Sequence, residues 1–463
     1  MTREQIEAAA AFYEAPGNSK KERADLLCAA DVYKELPPIK AVGKAWHVYE
    51  NGIWNRTQRD IYRPKVQSII PARDLSAAKE KAVMELLEGH YQTDGSLFKG
   101  ATMVGPDQNI LLNTLNGVLA VWPDKLELLP HGREYYFTRH LAANYVPDAV
   151  APRWDEARHI ILADPDDRKL LRYCYGNFLM PDARFETALV CYGASGTGKG
   201  TLAEPIVSIF EESNLMTRLS MKAICDSKSY SLPKLRYACV NLGTELESVE
   251  VEESSNFKTI VSGEPIEARS IYDPPFTMHT HCKLWFLSNH LPRFKSGSDA
   301  ELRRTRFIHF THVPKERDLM LKPALRLERD GVFLQMVKTL QELMTLKAIP
   351  QGSKHSQAVL SRFNASNDPI GCFVSTYCMV ASNCSVPKES LARAYRGFCE
   401  EAGLSKKLRA HFFKMLYERY PGLRSARPRA NGERIYSIEG IRLNEAGEQL
   451  FHATAPSLED EDR

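Results

Sequence analysis

No apolar run in this 463-residue chain is long enough to cross a bilayer as a helix, which leaves a soluble globular protein as the expectation. The residues from Met1 to Glu7 are charged and amphipathic. They lack the apolar stretch and small-residue cleavage site of a secretory signal, so the expected location is the cytoplasm. No C-x-x-C pair occurs among the 10 cysteines. Cys174, Cys191, Cys239 and Cys282 sit inside apolar runs where a reduced thiol packs as a small hydrophobe. Cys372, Cys378 and Cys384 lie close together without the spacing of a structural zinc site, which argues against both a disulfide framework and a zinc knuckle. Charge of one sign is also scarce: the formal net charge is +3, so composition alone does not mark a nucleic-acid binder. Internal repeats and low-complexity tracts are missing as well.

The local patterns divide the chain. Residues 1–30 read as a helical arm, with Ile6, Ala9, Ala10 and Tyr13 at helical spacing before Pro16 and Gly17. Residues 31–155 read as an α+β domain. It holds a hairpin from Trp46 to Trp54 around Asn51-Gly52, a helix from Leu75 to His90, and strands from Asn109 to Trp122 around a second Asn-Gly turn. Residues 156–345 alternate apolar strands with helices, the arithmetic of a parallel α/β sheet. Residues 360–450 form a further unit. Two helices, Lys388 to Gly403 and Lys406 to Tyr420, precede a basic loop and a hairpin from Arg434 to Leu443, which is how a winged helix looks in sequence. Residues 451–463 read as an acidic tail.

What is present most distinctly is the segment Gly193 to Thr201, between the apolar run Ala188 to Tyr192 and a helix start. Gly193, Gly196 and Gly198 let successive backbone N–H groups converge on a polyphosphate. Ser195, Thr197 and Gly200 complete the loop, and Lys199 supplies a mobile cation. The segment predicts a nucleoside triphosphate site, with ATP and Mg2+ as cofactors. Gly200 stands where a magnesium-binding hydroxyl is usual, so Thr201 takes that role. The Gly-Lys-Gly-Thr ending also occurs in nucleotide kinases, and the loop alone does not separate a kinase from a motor.

Hydrolysis needs an acid at the end of a strand beside the phosphate-loop strand. The strand from Tyr237 to Gly243 is read as that neighbour, with Glu245 as the catalytic acid and magnesium partner and Glu247 as a possible assistant. A third strand, Cys282 to Asn289, ends in a polar side chain suited to sensing a γ-phosphate, Asn289. Arg303 and Arg304 precede another apolar strand and suit stabilisation of transition-state charge. Lys406, Lys407, Arg409, Lys414, Arg419, Arg424, Arg427, Arg429 and Arg434 are interleaved with His411, Phe412, Phe413, Tyr417 and Tyr420. That stretch suits phosphate contact, a solvated helix face being the plainer reading.

Taken in order, these elements resemble the superfamily 3 helicases of poxviruses, phages, plasmids and mobile islands. The likeness rests on the phosphate loop, Glu245, a segment carrying Lys258, Gly263, Glu264, Ile266, Ala268, Arg269 and Tyr272, and the strand ending at Ser288 to Pro292 followed by Arg303-Arg304. It covers about residues 100–445. The resemblance implies an AAA+-type P-loop core and a hexameric ring on single-stranded DNA in a bacterial host. Lys199 and Thr201 would bind ATP and magnesium, Glu245 would activate water, and Asn289 would sense the γ-phosphate. Arg303 or Arg304 would reach a neighbour's site, while Lys258, Arg269 and Tyr272 would lie near the DNA channel. Forked DNA, a replication origin, a separate primase and host replication proteins are the implied partners. Thr244 stands where a second acid often precedes Glu245. A primase domain is not expected, since no zinc ribbon or aspartate cluster precedes the motor. Two other readings remain open: a nucleotide-regulated origin-binding initiator, and a nucleotide kinase.

Overall fold

Asn51 and Gly52 both take left-handed backbone angles, φ 51° and 80°, and this closes the strands Ala45–Glu50 and Ile53–Gln58 through a two-residue turn. The computed structural model describes residues 25, 28–29, 31–32, 35–226, 229–244, 250–251, 254–271, 274–290, 293–294, 303–314, 316, 318–402, 404, 409–427, 429–430 and 433–454. Nearly all of the expected arm over 1–30 lies outside that set, as do Glu245, Glu247, Tyr272, Lys406, Lys407 and the tail from 455 onward.

Ile39–Val42 completes a three-stranded antiparallel sheet with that hairpin. Its alternating side chains Ile39, Ala41, Trp46 and Val48 are buried in one cluster with Val83, Met84 and Leu87 of the helix Ala77–Tyr91. A four-stranded antiparallel meander follows, Thr102–Val104, Ile110–Thr114, Gly117–Val121 and Leu126–Leu129. Its Leu112, Leu119 and Val121 belong to the same buried cluster as Leu202, Ile206 and Trp285. The expected boundary near residue 155 therefore falls within one continuous core.

That core surrounds a five-stranded sheet in which every described pairing is parallel. In chain order its strands are β1 (Ala188–Tyr192), β2 (Met216–Thr217), β3 (Val240–Thr244), β4 (Lys283–Ser288) and β5 (Thr305–His309). In space they run β5-β1-β4-β3-β2. Both faces are covered, which is why the strands read as apolar runs rather than as alternations. Leu189 and Cys191 of β1 face a layer containing the helices α1 (Pro152–Ile161), α2 (Pro165–Asn177), α3 (Lys199–Glu211), α5 (Leu321–Leu327) and α6 (Arg329–Thr345). Ala188 and Val190 face the other layer, built from Met221, Ile224, Leu235, the helix α4 (Ser255–Ser262) and the hairpin Ile266–Ala268/Phe276–Met278.

The sheet order corrects one expectation. The strand beside β1 is β4, and β3, which leads toward Glu245, is one place further out. Sequence order does not reveal this, because each parallel crossover permits the next strand to dock on either side.

Beyond α7 (Lys354–Asn367) the chain forms a last unit. Its elements are the helix Pro369–Tyr377, the strand Cys378–Pro387, the helices Lys388–Glu401 and Arg409–Arg419, the strands Arg424–Ala426 and Ser437–Leu443, and the helix Glu445–Ala453. Ser437–Leu443 is the middle strand of a three-stranded antiparallel sheet. The expected hairpin from Arg434 to Leu443 is replaced by this strand and a two-residue ladder, Arg429–Ala430 with Glu433–Arg434. Among the described residues no helix is long and apolar enough to cross a membrane, and all 10 cysteines are free.

Candidate functional site

β1 ends at Tyr192, and Gly193 donates its N–H to the Ser288 carbonyl of β4 at 3.1 Å. The loop then passes through Gly193, Gly196 and Gly198 at φ 154°, 83° and 87° before α3 begins at Lys199. These angles are favourable only for glycine. A Cβ on Gly193 would stand 2.2 Å from the Phe310 carbonyl oxygen, and one on Gly198 would stand 2.8 Å from Ile161. Thr197 is buried and its hydroxyl donates to the Ala194 carbonyl at 2.8 Å, so the inner side of the loop is fastened. Ala194, Ser195 and Gly196 face solvent across it.

Lys199 is only 9% exposed. Its ammonium donates to the carbonyls of Gly193 at 2.6 Å and Ala194 at 2.8 Å, to Thr197 Oγ1 at 3.3 Å, and to Asn289 Oδ1 at 3.0 Å. All four described partners are neutral oxygens. Burial pushes the ammonium's pKa down, and an anion bound beside it would offset that cost. The N-terminus of a 13-residue helix points to the same place.

Asn289 is exposed, and the register Ser288↔Tyr192 sets it level with the start of the loop. Lys199 and Asn289 are thus brought together, and Thr201 lies half-buried in the first turn of α3. A triphosphate fits this donor set. For magnesium, Gly200 offers no side-chain oxygen, Thr201 is the next hydroxyl along the helix, and no cluster of three His, Cys, Asp or Glu side chains occurs among the described residues.

The arginine pair stands elsewhere. Arg304 accepts the Ala188 N–H on its carbonyl at 2.7 Å, so it sits at the N-terminal edge of the sheet, whereas the phosphate loop is at the C-terminal edge. A five-residue strand at about 3.3 Å per residue separates the two edges, farther than an arginine side chain reaches. Arg304 is also engaged locally, with Glu186 at 2.9 Å and Ser262 Oγ at 3.0 Å. Arg303 is exposed.

Lys258 lies on α4. Arg269 is exposed beyond Ile266–Ala268, its guanidinium 5.8 Å from the Tyr230 ring centroid, and Ile271 beside it is 63% exposed. In the last unit the interleaved aromatics are largely interior. Phe412 stacks on Tyr395 at 4.2 Å, and Phe413, Tyr417 and Tyr420 pack against the same core. Arg409 begins its helix. Lys414, Arg424 and Arg427 are exposed, with Arg427 4.0 Å from the Tyr436 ring centroid, and Arg419 pairs with Asp368 at 2.7 Å.

Two features have no motif to announce them. Asp167 is buried at the start of α2 and accepts hydrogen bonds from Ser353 N, Ser353 Oγ and Ser356 Oγ at 2.8, 2.8 and 2.9 Å. Ser356 Oγ in turn accepts the His309 N–H at 3.0 Å, and His309 stacks between Tyr192 and His355. The end of β5 is thereby clamped to the root of α7. Lys283, buried at the start of β4, donates to the carbonyls of Met180, Asp182 and His281.

Residues 39–159 match a family described as D5 N terminal like. Residues 191–304 match a family of unknown function, DUF5906. No curated protein matches the chain. Among solved structures, the A form of the apo C-terminal region of NrS-1 is similar in fold, with a TM-score of 0.53 at 14% identity over 90% of this chain and 99% of that one. The apo structure of the same region, residues 305–718, gives 0.53 at 13% identity over 91% and 100%.

Proposed function

We propose that the chain is an ATP-dependent replicative DNA helicase of the superfamily 3 type, related to phage-type primase–helicases. The observation that carries this reading is Lys199, a buried ammonium whose partners among the described residues are neutral oxygens, at a glycine loop and in direct contact with Asn289. The strand order β5-β1-β4-β3-β2 supports an AAA+ core, with Asn289 at the end of the central strand β4 and the loop at the end of its neighbour β1. The match of residues 39–159 to the D5 N terminal like family supports a replicative setting.

In this reading Lys199 and Thr201 hold ATP with magnesium, Glu245 activates water, and Asn289 senses the γ-phosphate. Arg303 or Arg304 serves a neighbouring subunit of a hexameric ring, and their position at the far edge of the sheet supports action between subunits. Lys258, Arg269 and Tyr272 belong to the segment near the channel for single-stranded DNA, where contacts are electrostatic and salt-sensitive. In residues 369–443 a helix, a strand and two helices are followed by the strands Arg424–Ala426 and Ser437–Leu443 with a short two-residue ladder between them, an order that supports a winged helix. Unwinding of forked DNA tests the reading. ATP-dependent strand separation lost in Lys199→Ala is expected, and ATP hydrolysis with neither DNA stimulation nor unwinding would overturn it.

A second reading is favoured by the exposed Lys414, Arg424 and Arg427 on that last unit. There the chain binds its own origin and the nucleotide controls assembly. Footprinting on origin DNA, with and without residues 369–463, separates recognition from motor action.

A further inference from the structure

Gly200 and Glu204 are one helical turn apart on α3, and α5 packs across them. Lys322 stands on α5 with its Nζ 3.5 Å from the place where a Cβ on Gly200 would be, so the missing side chain leaves room for this ammonium over the first turn. The carboxylate of Glu204 is held more closely by Arg326, at 3.0 Å, than by Lys322, at 3.9 Å. The Lys322 side chain is 53% exposed. It is therefore an exposed cation, loosely tied to a carboxylate that has a better partner, beside the loop where Lys199 has only neutral oxygens as partners among the described residues.

We infer that Lys322 is a second phosphate-binding cation of the nucleotide site. On binding, its ammonium leaves Glu204 to Arg326 and turns to the polyphosphate lying over Gly200. Lys199 reaches the phosphates from inside the loop, and Lys322 reaches them from the helix above. The absence of a hydroxyl at position 200 is thus matched by a cation supplied from α5. The inference deepens the nucleotide reading above and rests on it.

Equilibrium titration of the full chain with a fluorescent ATP analogue tests the assignment, beside AMP as a ligand with a single phosphate. Lys322→Gln is expected to weaken triphosphate binding about tenfold, the loss of one charge-assisted contact at a half-exposed site. Lys322→Arg is expected to restore most of it, AMP binding to change less than threefold, and Arg326→Gln to change triphosphate affinity less than Lys322→Gln does. The melting temperature of Lys322→Gln, expected within a few degrees of the parent, excludes misfolding as the cause. Parent-like affinity in Lys322→Gln, with loss in Lys199→Ala, overturns the role of Lys322 and leaves the site standing. A parent chain that binds no triphosphate overturns both.

Discussion

Lys199 Nζ and Asn289 Oδ1 lie 3.0 Å apart although 90 residues separate them in sequence. The contact joins the start of α3 to the end of β4, and it depends on β1, which leads into α3, being the neighbour of β4 in the sheet. The lysine of the glycine loop and the polar residue that closes β4 are therefore held together by the sheet pairing.

Asn289→Ala is expected to leave nucleotide affinity within about threefold of the parent and to lower kcat for ATP about 100-fold, as for removal of a group acting mainly in the transition state. Steady-state hydrolysis together with direct nucleotide titration checks this. Equal losses in affinity and turnover would place Asn289 in ground-state binding instead.

The arginines are expected to separate by complementation. Arg303→Ala should abolish hydrolysis without lowering stability, since its side chain is exposed. Mixing it with Lys199→Ala should restore part of the activity, because mixed assemblies contain some sites with both groups intact. Arg304→Ala should lower stability by about 1 kcal/mol or less through loss of the Glu186 pair. Hydrolysis by a strictly monomeric species would contradict action between subunits.

Gly193→Ala and Gly200→Ala should have opposite effects on stability. At position 193 a Cβ meets the Phe310 carbonyl at 2.2 Å on a left-handed backbone, and a loss of about 1–3 kcal/mol is expected. At position 200 the backbone is helical and the Cβ stands at an ordinary contact distance, so a gain of up to about 1 kcal/mol is expected. Denaturant midpoints of the two variants decide it.

Asp167→Ala leaves the Ser353 and Ser356 donors without their carboxylate and should cost about 3 kcal/mol. Because the same serines anchor the start of α7, limited proteolysis should cut between residues 345 and 354 faster than in the parent. Unchanged cleavage there would mean that the clamp does not hold the last unit to the core.

Lys283 gives a pH signature. Burial pushes its pKa down to about 8, while the unfolded chain carries an ordinary lysine near 10.4. Between those values the unfolded state binds the extra proton, so stability rises with pH there, by up to about 3 kcal/mol, and the contribution is gone below about pH 8. Lys283→Met removes the slope. Parallel unfolding series from pH 7.5 to 10.5 should diverge accordingly, and superimposable slopes would refute the assignment.

The phosphate loop was legible in the sequence because its chemistry is local: three glycines and a lysine at set spacing, framed by an apolar run and a helix start, dictate the backbone they need. Asn289 was legible for a similar reason, as a polar residue closing an apolar strand. The hairpin at Asn51-Gly52 and the parallel core also followed from local pattern. The rest depended on which segments meet. That β4 rather than β3 lies beside β1, that Asp167 gathers Ser353 and Ser356 from about 186 residues away, and that Phe412 turns inward while Arg427 stays out are consequences of packing. Lys322 is one of many lysines until α5 crosses α3 above Gly200. Local steric and hydrogen-bonding preferences are written residue by residue, and the sequence alone determined what they govern. Contacts between distant segments are decided by how apolar faces bury one another, and only the tertiary structure settles those.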